Sequence, residues 1–366
     1  MSPSDPLSAL LDEGLERGFF PAAAAVVADA SGVLREEYRG DAVVEPSGSR
    51  TAAGSATLWD LASLTKPLAG AAVVLALAED RALALDDGIG RFHDLFRRTR
   101  FDGVTLRALL LHAAGLAAWF PCYVRGEGRA AYRRALSEVD AERPPGRGVT
   151  YSCLGYLLLA EAVETASAAP LDVLFRERVA APLEVAADLL FAPGEGDRSR
   201  CAGGERDDAT ERRMVAERGL AYGGFRTGVV TGEANDGNAW RRGAGVSLNA
   251  GLFGTARAVA AAARAWLVRD PRLLGEASVA DAVACGTEGL GERRGLGWQL
   301  ASETNGAGPA LHASSFGHTG FTGSSVWVDP DAGRVYVLLA NRLHPDARAV
   351  DMNEVRRRFH EAASRL

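Results

Sequence analysis

Lysine is nearly absent from this chain of 366 residues. Lys and Arg together number 41, Lys66 is the single Lys, and 41 less 1 leaves 40 Arg. Long apolar runs are missing too: the stretches 21–28 and 67–78 fall short of the ~20 residues a bilayer-spanning helix needs. The N-terminus carries Asp5, Asp12 and Glu13 without a basic n-region, so no signal peptide is expected and the chain reads as cytoplasmic. The four cysteines, Cys122, Cys153, Cys201 and Cys285, form no C-x-x-C pair, which favours free thiols. A net charge of -6 offers no basic face for nucleic acid, apart from any local Arg cluster. His93, His312, His344 and His360 lack ligand spacing, so no metal and no cofactor are expected. There is no G-x-S-x-G elbow, no internal repeat, and no phosphate loop, since Lys66 follows Thr65 rather than Gly.

What is present is ordinary for a soluble globular protein: 47% hydrophobic and 24% charged residues, enough for one large domain or two smaller ones. Abundant Ala and Arg with almost no Lys is the composition of a GC-rich bacterial genome. Against that background the one Lys stands three residues after a serine, in Ser63-Leu64-Thr65-Lys66. Arg keeps its charge at any working pH, whereas a buried Lys can lose its proton and act as a base. The spacing puts both side chains on one face of a helical turn. Leu64, Leu68, Ala72 and Leu75 form a stripe, and Pro67 requires a first turn, which places Ser63 at a helix N-terminus.

Along the chain, 6–17 reads as an amphipathic helix, and 22–28 with 33–38 as a hairpin turning at Asp29-Ala30-Ser31-Gly32. Residues 40–57 read as a polar loop. Helical periodicity runs from 61 to about 166, broken at Pro144-Pro145-Gly146, with Gly115 as a helix C-cap after 106–111. Residues 192–245 read as long ordered loops and 252–268 as helix. Strands are expected at 295–301, 324–328 and 334–339, and a terminal helix from about Asp346 to Leu366. Strands at both ends with helices between predict one sheet assembled from both ends, a helical lobe, and a pocket in the cleft between them.

Two further stretches combine with Ser63 and Lys66. Tyr151-Ser152-Cys153 opens a helix, and its phenol could share a proton with Lys66. Gly317-His318-Thr319-Gly320-Phe321-Thr322-Gly323 leads into a strand, with glycines that let backbone N–H groups approach a ligand. Ser63-x-x-Lys66, Tyr151-x-Cys153 and His318-Thr319-Gly320 resemble, in order and spacing, the motifs of the serine β-lactamase and penicillin-binding-protein superfamily. The likeness is nearest to its class C β-lactamase and family VIII esterase branch. Blocks at 109–116, 154–161, 250–253, 295–298 and 317–330 extend it over roughly 15–360.

The resemblance implies an α/β fold: a β-lactamase-like antiparallel sheet flanked by helices, with an inserted, mostly helical lobe. Residues 1–60 and 246–366 would form the sheet lobe and 61–245 the helical lobe. It further implies an acyl-serine enzyme, with Ser63 as nucleophile and Lys66 and Tyr151 handling its proton. The N–H groups of Ser63 and Phe321 would form the oxyanion hole, and Cys153, His318, Thr319 and Gly320 would border a small-molecule acyl substrate. Cys153 departs from the family Asn or Asp, and Asn235 and Asn249 stand where relatives carry His.

A serine hydrolase acting on an ester or amide, esterase-like, is the first reading. An acyltransferase, a D-aminopeptidase and a weak β-lactamase share its acylation step. A degenerate relative that only binds a ligand or partner is the alternative, and the joint presence of Ser63, Lys66 and Tyr151 counts against it. No nucleic-acid or membrane partner is expected, and oligomeric state is not legible. Taken singly, His112 reads as a structural cap, Cys153 as a small buried hydrophobe and Arg293-Arg294 as a solvated turn.

Overall fold

The computed structural model describes residues 5–97, 99–101, 103–345 and 347–366. Asp5 accepts a hydrogen bond from the Leu7 N–H and Pro6 fills the first turn, so a helix runs over Pro6–Glu16. Strand Ala22–Ala28 pairs antiparallel with Val33–Val44, and Asp29 Oδ1 accepts from the Ser31 and Gly32 N–H groups at the turn. That second strand outruns the expected 33–38, and Arg50–Ala52 pairs with its far end, so much of the supposed loop at 40–57 is sheet edge. Its polarity is that of an exposed edge.

Seven strands form the main sheet, in the order Arg50–Ala52, Val33–Val44, Ala22–Ala28, Arg334–Ala340, Ser325–Asp329, Phe316–Thr319, Gln299–Leu300. Ala22–Ala28 lies antiparallel to Arg334–Ala340, with Val26 opposite Val337, so the two ends of the chain do build one sheet. Every residue of Ala22–Ala28 is buried, because both faces are covered. Ala22, Ala24 and Val26 face the larger core, with Val259 and Trp266 of helix Ala256–Leu267. Ala23, Ala25 and Val27 face a second core with Leu7, Leu11, Val355 and Phe359 of the terminal helices.

The last helix, Met352–Ala363, is shorter than expected, and the expected start at Asp346 lies outside the described residues. Residues 252–254 form a strand before Ala256–Leu267 begins, capped by the Thr255 hydroxyl. Residues 192–245 hold the paired strands Gly203–Arg206 and Val229–Thr231 and the helices Ala209–Glu217 and Gly237–Gly243. Their anchors are polar, such as the Asp236 cap on Ala239 N–H, and so leave no apolar periodicity.

The Ser63 region is helical as expected, but in three pieces: a 3-10 turn Ala62–Leu64, a π turn Lys66–Ala71, and α-helix Ala72–Glu79. Burial is not confined to one stripe. Ala69, Val73, Val74 and Leu77 are as buried as Leu64 and Leu68, because this is the central core helix. By length and composition 62–79 could cross a membrane, yet 78% of it is buried inside the protein.

Candidate active site

Ser63 follows Ala62, whose φ of +46° is in the left-handed region, unusual for a residue with a Cβ. Buried Asp60 fixes that turn. Its Oδ1 accepts from the Ala62 N–H at 2.8 Å, and its Oδ2 from the Asn235 N–H and Nδ2 at 2.7 and 2.8 Å. Asn235 thus holds the nucleophile's turn through the Asp60 carboxyl.

Lys66 is fully buried. Its Nζ donates to Ser63 Oγ at 2.9 Å and to the Asn249 carbonyl at 2.8 Å, and lies 3.6 Å from Cys153 Sγ. Tyr151 Oη donates to the same Ser63 Oγ at 2.7 Å. One hydroxyl oxygen therefore receives two protons' worth of hydrogen bonding from groups that can later take its own proton. Burial alone would strip the Lys66 ammonium, as the sequence suggests. The Cys153 and Tyr151 groups beside it outweigh that and hold it above its ordinary range. Burial likewise raises the Tyr151 phenol against the pull of Lys66. The titrations of Lys66, Tyr151 and Cys153 are thus linked, each group's charge setting that of its neighbours.

His112 positions Tyr151. Helix Leu106–Leu110 ends before it, and His112, at φ +57°, takes the left-handed place expected of Gly115. Gly115 serves another turn, where a Cβ would strike the Arg143 carbonyl. The His112 carbonyl accepts from the Thr150 N–H at 2.9 Å and its Nδ1 from the Ser152 N–H at 3.0 Å, pinning the backbone on both sides of Tyr151. Burial and then the charge of Arg294 push His112 well below its usual range, so its ring is neutral and can accept that bond.

Cys153 opens helix Cys153–Ser167, with the Ser152 hydroxyl as cap. It is not merely core: it touches Lys66 and lines a pocket beside Ser63. Burial raises its thiol, so it stands there as a neutral, weakly polar group.

His318 and Thr319 lie on strand Phe316–Thr319, not in a loop. Burial and the charges of Arg294 and Lys66 hold His318 neutral, with its Nδ1–H assigned as donor to the Thr319 carbonyl at 2.8 Å. Gly320 packs so closely that a Cβ would lie 2.8 Å from the Leu61 carbonyl. The Phe321 ring is half exposed, and its N–H has no acceptor among the described residues.

Two pockets meet at Ser63, Tyr151 and Phe321. One, of about 230 Å³, has apolar walls from Ala118, Trp119, Met214, Ala250 and Leu343, with Cys153 and Asp236 among its polar lining. The other, of about 410 Å³, is lined by His318, Thr319, Gly320 and the cations Arg294, Arg342 and Arg356. Arg294 corrects the reading of a solvated turn. It is 4% exposed, paired with Glu292 at 2.9 Å, and its guanidinium carbon lies 5.2 Å from the Tyr151 ring centroid. Nothing local marks it; an Arg-Arg pair between glycines looks the same in a solvated turn.

The structure thus brings together Ser63, Lys66, Tyr151, Cys153, His318, Thr319, Gly320 and Phe321, and adds Asp60, His112, Asn249, Arg294 and Arg356. Known proteins share the frame. A solved structure, "EstCE1, a hydrolase with promiscuous acyltransferase activity", superposes with a TM-score of 0.75 at 20% identity, covering 98% of this chain and 97% of that one. The "Crystal structure of a family VIII carboxylesterase" gives 0.74 at 20% identity, covering 98% and 96%. At that identity the likeness is one of fold. An Escherichia coli (strain K12) protein named "Putative D-alanyl-D-alanine carboxypeptidase" is 26% identical over 337 residues, 84% of this chain and 74% of that protein. The family model described as Beta-lactamase matches residues 7–361, nearly the whole length, a span that contains the three motif stretches. This chain belongs to the Beta-lactamase family and is a serine hydrolase.

Proposed function

We propose that the chain cleaves small-molecule esters through an acyl-enzyme on Ser63. The observation that carries the site assignment is the Ser63 Oγ receiving both Lys66 Nζ and Tyr151 Oη. Once the Lys66–Tyr151 pair has lost one proton, it takes the Ser63 proton as Oγ attacks the ester carbonyl. The N–H groups of Ser63 and Phe321 hold the oxyanion. Collapse breaks the ester C–O bond, and the pair returns the proton to the departing alkoxide. Water then attacks the acyl-enzyme carbonyl and gives a proton to the same pair, which passes it to Ser63 Oγ as the acyl C–O bond breaks and the acid leaves. The apolar pocket suits the acyl chain. A small-molecule substrate, no nucleic-acid or membrane partner, and a cytoplasmic location belong to the same proposal.

Cys153 supports ester over amide. An Asn amide both donates and accepts hydrogen bonds, while a thiol does either only weakly, so Lys66 and a substrate amide lose a firm partner. An activated ester needs less help expelling its leaving group. Wild type is expected to favour a nitrophenyl ester over a cephalosporin and a D-Ala peptide in kcat/KM. Cys153→Asn should raise the amide and β-lactam values more than the ester value. A variant that loses ester turnover outright would give the thiol its own role. A second reading, a D-amino-acid peptidase, draws on Arg294 and Arg342, which line the pocket and could meet an anionic leaving group; faster turnover of the D-Ala peptide than of the ester would establish it.

The pH profile follows from the pair. Lys66 and Tyr151 are both raised, and the base form is the one that has lost a proton, so the rising limb moves to the alkaline side. For a neutral ester, kcat/KM is expected to go on rising with pH beyond neutrality, without a plateau there. A profile already flat at neutrality would remove this pair from the proton path.

A further inference from the structure

Arg356, on helix Met352–Ala363, is 5% exposed and has no carboxylate in ion-pair range among the described residues. A buried, uncompensated charge is costly, and an apolar side chain would pack this helix face as well. Its two terminal nitrogens go to backbone carbonyls and an amide oxygen instead. One terminal nitrogen donates to the Gly320 carbonyl at 3.0 Å and the Ser324 carbonyl at 2.9 Å, and the other to Asn353 Oδ1 at 2.9 Å. Burial, with Arg342 nearby, pushes the guanidinium down to about 9, as befits a cation without an acid partner.

The Gly320 carbonyl and the Phe321 N–H are the two ends of one peptide group. We infer that Arg356 is a positioning residue for acylation, whose guanidinium holds and polarises the Gly320–Phe321 amide so that the Phe321 N–H donates more strongly to the oxyanion. This rests on the acyl-serine reading above. A charged donor makes the stronger hydrogen bond, and linked bonds strengthen one another by roughly 10–30% each. The loop is fixed at its other points as well. Thr322 Oγ1 donates to the Asp60 carbonyl at 2.8 Å, tying it to the turn before Ser63, and Arg342 Nε donates to the Phe321 carbonyl at 2.7 Å.

Arg356→Met and Arg356→Lys test this, with kcat and KM for a nitrophenyl ester, the inhibition constant of a boronic acid, and the melting temperature. The boronate adduct on Ser63 places a tetrahedral oxygen in the hole. Losing an oxyanion donor outright costs about 10²–10³-fold, so weakening one should lower kcat about tenfold. The boronate constant should rise by the same factor while KM stays within about twofold. Arg356→Lys keeps the charge but ends one bond short of the terminal nitrogen that meets both carbonyls, and should fall between. Unchanged kcat and boronate affinity in a folded variant would overturn the inference, as would KM, boronate affinity and melting temperature worsening together. If Arg356→Met does not fold, Arg356→Lys decides alone, and wild-type boronate affinity in it overturns the inference. Failure of wild type to bind boronate or take a fluorophosphonate on Ser63 would instead sink the acyl-serine reading, and this inference with it.

Discussion

Ser63→Ala is expected to abolish covalent labelling by a fluorophosphonate and to reduce ester turnover to background. Ser63 Oγ is the atom on which Lys66 and Tyr151 converge, and it opens on both pockets. Removing it leaves the proton-handling pair and the oxyanion donors in place but no atom to form the acyl bond. Residues acting as one unit give losses of the order of 10⁶-fold in kcat when the nucleophile is deleted. The fold should survive, because a hydroxyl is exchanged for hydrogen without opening a cavity. Intact-protein mass spectrometry of wild type and variant after an activated ester or a fluorophosphonate provides the measurement. An adduct of equal yield on Ser63→Ala would place the nucleophile elsewhere.

Lys66→Arg is expected to lose roughly 10²–10⁴-fold in kcat/KM, the usual range of a general-base contribution. Arg keeps the charge but does not yield its proton at working pH, so the pair can no longer reach its basic form. The geometry adds a second penalty. Nζ is held by Ser63 Oγ, the Asn249 carbonyl and Cys153 Sγ in a fully buried site, and a planar fork cannot reproduce that three-way contact. Because added bulk in a packed site could act by strain alone, Lys66→Met serves beside it, removing the donor without adding a fork. Both variants should lose acylation while keeping the wild-type circular dichroism spectrum. Near-normal acylation in either one would take Lys66 out of the proton path.

Short-range chemistry in the sequence determined a large share of this protein. The Ser63/Lys66 spacing, the Asp29–Gly32 turn, the Pro6 helix start and the apolar run 22–28 act over a few residues, so each could be read where it stands. The three motifs in order gave the family and the set of groups now found around Ser63. What only the tertiary structure decided depends on partners far along the chain. The titration of Lys66 turns on its burial and on Cys153 and Tyr151, and its Nζ is held by an Asn249 carbonyl 183 residues away. Asn235 acquires its role because Asp60, 175 residues off, turns its carboxyl toward it. Arg294 and Arg356 look like solvent-facing residues in sequence, one in a turn and one on a charged helix. Packing buries them, against Tyr151 and against the Gly320 carbonyl. A local pattern fixes what a side chain can do. Burial and partner fix its charge and its target, and both are set by the folded chain as a whole.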